Sequence, residues 1–96
     1  MTKDEMDELD IWLWVYLMGM KASQLKTVAE YVFPWFPTRN DAQAIECAEK
    51  TKLPYHINKL GPDSYFCEVG NSKSFAYEST LSLAVSLACK KAWGGK

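Results

Sequence analysis

Histidine and arginine occur once each, as His56 and Arg39, and cysteine three times, as Cys47, Cys67 and Cys89. One His and three scattered Cys without paired spacing offer no metal-ligating pattern, so neither a metal nor a cofactor is expected. The odd, CxxC-free cysteine set, each member inside an apolar-periodic stretch, reads as reduced core thiols. Glycine and proline are also scarce, at 5 and 4 of 96 residues, and no low-complexity run is present, which excludes collagen-like and disordered classes. No long hydrophobic run exists either. The longest, Ile11 to Met20, follows acids, whereas a signal peptide needs a basic start and a membrane helix about 20 apolar residues. No membrane association is expected, and the reading is of a cytosolic protein. A net charge of -1 leaves no large basic surface for a phosphate backbone, so sequence-specific nucleic-acid binding is not expected.

What is present is an ordinary globular composition with 48% apolar residues and a generous 14% aromatics. One domain spanning 1–96 is expected. Thr2-Lys3-Asp4-Glu5 has capping-box form and predicts a helix over 3–18, with Met6, Leu9, Trp12, Leu13, Tyr16 and Leu17 on its inner stripe. Gly19 is the natural stop. Met20 to Glu30 reads as a weak stretch, with Ser23 as a cap and Leu25, Val28 and Ala29 inward. Tyr31 to Pro37 carries four aromatics and two prolines and reads as an extended loop. Thr38 or Asn40 caps a helix over 41–52.

Three β-rich runs follow, Tyr55 to Leu60, Tyr65 to Val69 and Ser74 to Tyr77, separated by Gly-Pro-Asp-Ser and Gly-Asn-Ser-Lys turns. They predict an antiparallel meander. With Leu60 opposite Tyr65 and Val69 opposite Ser74, one face collects Tyr55, Ile57, Phe66, Phe75 and Tyr77, and the other His56, Leu60, Tyr65, Cys67, Val69 and Ala76. Both faces are apolar, which predicts helices over both. Ser79 or Thr80 caps a last helix over 80–93. The expected fold is α+β, a small αβα sandwich in the order α-α-β-β-β-α. Leu13, Leu17, Ile45, Ile57, Phe66, Phe75, Leu81, Val85 and Ala88 are its expected core.

Several blocks resemble the phage αβα-sandwich domain family of small phage and prophage proteins. They are Phe36-Pro37-Thr38-Arg39-Asn40-Asp41 before an Ala-rich helix ending Glu49-Lys50, then Tyr65-Phe66-Cys67-Glu68-Val69, and Thr80 to Ala92. The likeness extends to a first helix ending Leu17-Met18-Gly19-Met20. The sequence departs from the family at Thr38 to Asp41, where Ser-Thr-Asp is usual, and at Ser82, near a usual proline. The resemblance implies an accessory protein of a tailed phage or prophage in the host bacterial cytoplasm, with no established activity, catalytic residue or cofactor.

Three sets of residues carry candidate chemistry. His56 and Cys67 on one expected sheet face could form a base and nucleophile pair, against the plainer reading of a half-buried strand histidine. The acids Asp4, Glu5, Asp7, Glu8 and Asp10 could mimic nucleic acid or bind cations, but a solvated helix start explains them more simply. Trp35, Phe36, Thr38, Arg39 and Asn40 have the ingredients of a nucleotide or phosphate pocket, namely aromatics to stack on a base, an arginine, and helix-opening amides. The plainer alternative is a packed loop with a surface arginine.

No catalytic constellation stands out, so the expected function is a non-enzymatic binding module for a host or phage protein. The apolar surface of Ile11 to Met18 predicts a homodimer, with Trp12, Trp14 or Trp35 at its interface. The alternative function is a sponge for a small nucleotide signal of host defence, bound at Arg39.

Overall fold

The computed structural model describes residues 1–21, 35–70 and 74–94. Helix α1 (Lys3–Trp12) opens on the expected capping box: Thr2 Oγ1 accepts from the Glu5 amide at 3.2 Å while the Thr2 amide donates to Glu5 Oε1 at 3.0 Å. It does not continue as an α-helix. Leu13–Leu17 widens into a π-helical turn, in which the Met18 amide donates to the Leu13 carbonyl at 2.9 Å, and Gly19 stops it with φ +73°.

The wider turn rotates the inner stripe. Leu9, Asp10, Leu13, Trp14 and Leu17 are buried, whereas Tyr16, expected inward, is 63% exposed. Trp14 and Trp35 are both buried within the chain with ring centroids 5.1 Å apart. The chain thus covers by itself two of the tryptophans that the sequence suggested for an interface.

Helix α2 (Asp41–Lys50) is capped by Asn40, whose side chain accepts from the Gln43 amide at 3.0 Å. The sheet is an antiparallel meander of β1 (Tyr55–Gly61), β2 (Ser64–Val69) and β3 (Phe75–Glu78) with β2 central. Helix α3 (Leu81–Gly94) follows, with Thr80 Oγ1 accepting from the Leu83 amide at 3.2 Å. The α+β class and the element order are as expected. The weak stretch of Met20 to Glu30 lies outside the described residues beyond Lys21, as does the loop before Trp35. Among the described residues no helix is long and apolar enough to cross a membrane.

The β2–β3 register is the expected one, with Glu68 opposite Phe75, Cys67 opposite Ala76 and Phe66 opposite Tyr77. The β1–β2 register is one residue away from expectation. Gly61 pairs with Ser64 and Lys59 with Tyr65, so Leu60 is the extra residue of a bulge and every side chain of β1 changes face. Ile57 therefore lies beside Cys67 on the inner face, and His56 beside Glu68 on the outer one.

The sheet's inner face of Cys67, Val69 and Ala76 packs on α3, and α3 packs in turn on α2, so α3 is the middle layer and most of its length is buried. Its Ala84, Ala88 and Cys89 and the Ala44, Cys47 and Ala48 of α2 are small side chains that let the two helices approach closely. On the outer face of the sheet Phe75 is 37% and Tyr77 58% exposed, and among the described residues no helix covers them. Of the expected core, Leu13, Leu17, Val85 and Ala88 are buried and Ile45, Ile57, Phe66 and Leu81 half-buried, whereas Phe75 is not a core residue.

Candidate functional site

Asp10 lies on the buried stripe of α1, 2% exposed, where an unpaired carboxylate would be costly. Three donors compensate it. The Thr38 amide reaches Oδ1 at 2.9 Å, the Thr38 hydroxyl Oδ2 at 3.1 Å, and Arg39 Nη2 Oδ2 at 3.2 Å. The Asp10 carbonyl accepts the Trp35 indole N–H at 2.9 Å. The aromatic loop is thereby fastened to α1 at both its backbone and its side chains.

Arg39 Nη2 also donates to Asp7 Oδ1, and Lys3 Nζ to Asp7 Oδ2 at 3.1 Å. The guanidinium carbon stands 4.7 Å from the centroid of Phe36, whose amide donates to Gln43 Oε1 at 2.6 Å. Burial pushes the Asp10 carboxyl above its ordinary value, against the pull of Thr38 and Arg39. Lys3 and then Arg39 hold the Asp7 carboxyl below the usual range. For Arg39 desolvation works against the charge, but the hydrogen bonds to Asp7 and Asp10 outweigh it and raise its pKa.

Above this network opens a cleft of about 380 Å³ lined by Lys3, Asp7, Asp10, Ile11, Trp35, Phe36 and Arg39. Of the five expected pocket residues it brings together Trp35, Phe36 and Arg39. Thr38 is spent on Asp10, and Asn40 on capping α2, where it occupies the Gln43 amide. The two cations of the cleft face two carboxylates, so an anion must compete with Asp7 and Asp10 for Arg39. A planar ring stacking on Phe36 must likewise share that ring with the Arg39 guanidinium.

Other expected partnerships are not formed. His56 and Cys67 lie on opposite faces of the sheet, and burial pushes the Cys67 thiol up to about 11. The thiol of Cys47 is likewise pushed up to about 12, and that of Cys89 is raised as well. All three cysteines are free and buried, as expected. Among the described residues no group of three or more His, Cys, Asp or Glu could hold a metal ion. The N-terminal acids divide by role: Glu5 caps α1, Asp7 pairs with Lys3 and Arg39, and Asp10 is the buried anchor.

The sequence places Phe66, Phe75 and Tyr77 on one sheet face, but as a covered face and not as a candidate site. This outer face is a grid of two rows, His56, Glu68 and Phe75 in one and Asn58, Phe66 and Tyr77 in the other. Its three aromatics form one cluster, with Phe66 and Tyr77 4.9 Å, Phe75 and Tyr77 5.8 Å, and Phe66 and Phe75 6.0 Å between centroids. The run Phe75-Ala76-Tyr77, aromatic on both sides of a small residue, was the available signal.

Compared with known proteins, the chain matches no family model, no curated protein and no solved structure.

Proposed function

We propose that the chain is a phage or prophage accessory protein that acts in the host bacterial cytoplasm as a non-enzymatic, homodimeric interaction module. The observation that carries the module reading is the aromatic cluster of Phe66, Phe75 and Tyr77 on the open face of the sheet, since contiguous exposed apolar surface rimmed by polar groups marks an interaction site. The phage setting rests on the family likeness, whose blocks form the lead-in to α2, strand β2 and helix α3. A non-enzymatic role accords with the separation of His56 from Cys67. Co-purification from a bacterial host, followed by reconstitution with the captured component in pure form, tests the module. A stoichiometric partner bound by the native chain and lost with Tyr77→Asp supports it, whereas a partner indifferent to that change refutes the assignment of the face.

The second reading, a sponge for a nucleotide signal, is favoured by one observation, the stacked Arg39 and Phe36 pair at the mouth of the cleft. Calorimetry against mononucleotides and cyclic di- and trinucleotides tests it. Heat that disappears with Phe36→Ala supports the reading, and no heat with any of them removes it.

A further inference from the structure

The cleft between α1 and the aromatic loop presents both signs of charge beside apolar walls, which suits a ligand that carries both. We propose that it binds a free amino acid with an apolar side chain, the carboxylate on Arg39, the ammonium on Asp7 and the side chain against Ile11. The proposal goes beyond the nucleotide reading of the same cleft, and its test separates the two. Charge selects this ligand. Lys3 and Arg39 balance Asp7 and Asp10, so the cleft is neutral. An added anion leaves surplus negative charge beside two carboxylates, and an added cation leaves surplus positive charge, whereas a zwitterion keeps the balance.

Each end of the zwitterion meets a group that is ready for it. Arg39 engages only Nη2, shared between Asp7 and Asp10, and among the described residues its Nη1 and Nε donate to nothing, so Nη1 is available to a carboxylate. Asp10 at 3.2 Å and the Phe36 ring at 4.7 Å already fix the guanidinium, and binding spends little on ordering it. Asp7 Oδ2 is held by Lys3 Nζ at 3.1 Å, but the Lys3 side chain is 75% exposed, and a pair so wet contributes little enough for an incoming ammonium to replace it. Ile11, 45% exposed, offers the apolar wall next to this pair, with the buried Trp35 ring lining the same cleft. A volume of about 380 Å³ lies near the lower limit of ligand sites, roughly 300 Å³, and suits one small molecule.

Calorimetry and ligand-observed NMR of the full chain with L-phenylalanine and L-leucine provide the test, with an expected Kd on the order of 0.1 to 1 mM. Two analogues of phenylalanine, 3-phenylpropanoate without the ammonium and phenethylamine without the carboxylate, are each expected to bind at least about tenfold more weakly. Equal affinity for either analogue overturns the zwitterion. Lys3→Ala reads the sign: removing the competitor at Asp7 should tighten phenylalanine by up to about fivefold, whereas losing a cation weakens a nucleotide. An unchanged or weaker affinity in Lys3→Ala overturns the place of the ammonium. Asp7→Asn, its fold checked by near-ultraviolet circular dichroism, should weaken phenylalanine by about tenfold, and an unaltered affinity likewise counts against the assignment. Binding of a mononucleotide but of neither amino acid overturns this proposal and leaves the nucleotide reading standing. Binding of neither class removes both.

Discussion

Asp10 and Thr38, 28 positions apart, are joined by two hydrogen bonds that spend both the amide and the hydroxyl of Thr38 on one buried carboxylate. Replacing Asp10 with Ala strands a buried amide, a hydroxyl and one bond of Arg39. We expect Asp10→Ala to cost about 3 kcal/mol in urea unfolding, as for other buried groups left unpaired. A loss below about 1 kcal/mol would show that water replaces the carboxylate.

The same carboxyl has a pH signature. Its folded pKa is raised from the ordinary 3.8, so between that value and the raised one the folded state holds more protons than the unfolded chain. Stability from this group therefore declines as pH rises through that window and is constant above it. Asp7, with a lowered pKa, acts oppositely and loses its contribution as pH falls through its folded value. Relative to Asp10→Asn, the native chain should gain stability on acidification from neutral toward 3.8, measured as the difference between their urea midpoints. A difference independent of pH would refute this.

Arg39 is not the free surface side chain that the sequence suggested, for which Arg39→Ala would cost at most about 0.5 kcal/mol. It compensates the buried Asp10, and its removal should cost about 1 to 3 kcal/mol. Thermal or urea unfolding distinguishes the two values.

Ser86 presents the opposite case. Its Oγ is fully buried and has no hydrogen-bond partner among the described residues. Ser86→Ala should raise stability by about 1 kcal/mol, because the unfolded state then gives up no solvated hydroxyl on folding. A loss of similar size would reveal a partner.

Phe75 and Leu13 separate surface from core. Leu13 is fully buried, and Leu13→Ala should cost about 2 to 5 kcal/mol. Phe75→Ala should cost about 1 kcal/mol in dilute solution, far below the 3 to 5 kcal/mol of a buried phenylalanine. Equal losses at the two positions would place Phe75 in the core.

The three thiols should resist alkylation at neutral pH, since the thiolate is the reactive form and burial raises the pKa of all three. Fast labelling of native Cys67, read by mass spectrometry, would contradict its burial.

Helix starts were legible because capping is local: Thr2 with Glu5, Asn40 and Thr80 each announce a helix within four residues. The β2–β3 register was legible because the alternation of Cys67 and Val69 with Phe66 and Glu68 matches Ala76 against Phe75 and Tyr77. The β1–β2 register was not, since Leu60 drops out of the pairing and a bulge leaves no mark in apolar alternation. Nor was the role of Asp10 read, although a signal existed: an acid spaced four from Met6 and three from Leu13 sits on the apolar stripe and requires a partner. That Thr38 and Arg39 supply it is a matter of long-range packing.

The indole N–H bonds have an optical consequence. Trp35 donates to the Asp10 carbonyl, Trp14 to that of Lys21 at 3.0 Å and Trp93 to that of Tyr16 at 2.8 Å, while Trp12 stacks on Tyr16 at 5.3 Å. All four tryptophans therefore gather around the first helix, and none lies on the sheet. Intrinsic emission excited at the red edge of absorption will follow the docking of that helix alone. A sheet that loosens or finds a partner will pass unseen in the tryptophan signal, and tyrosine absorbance at Tyr77 is the channel in which to look for it.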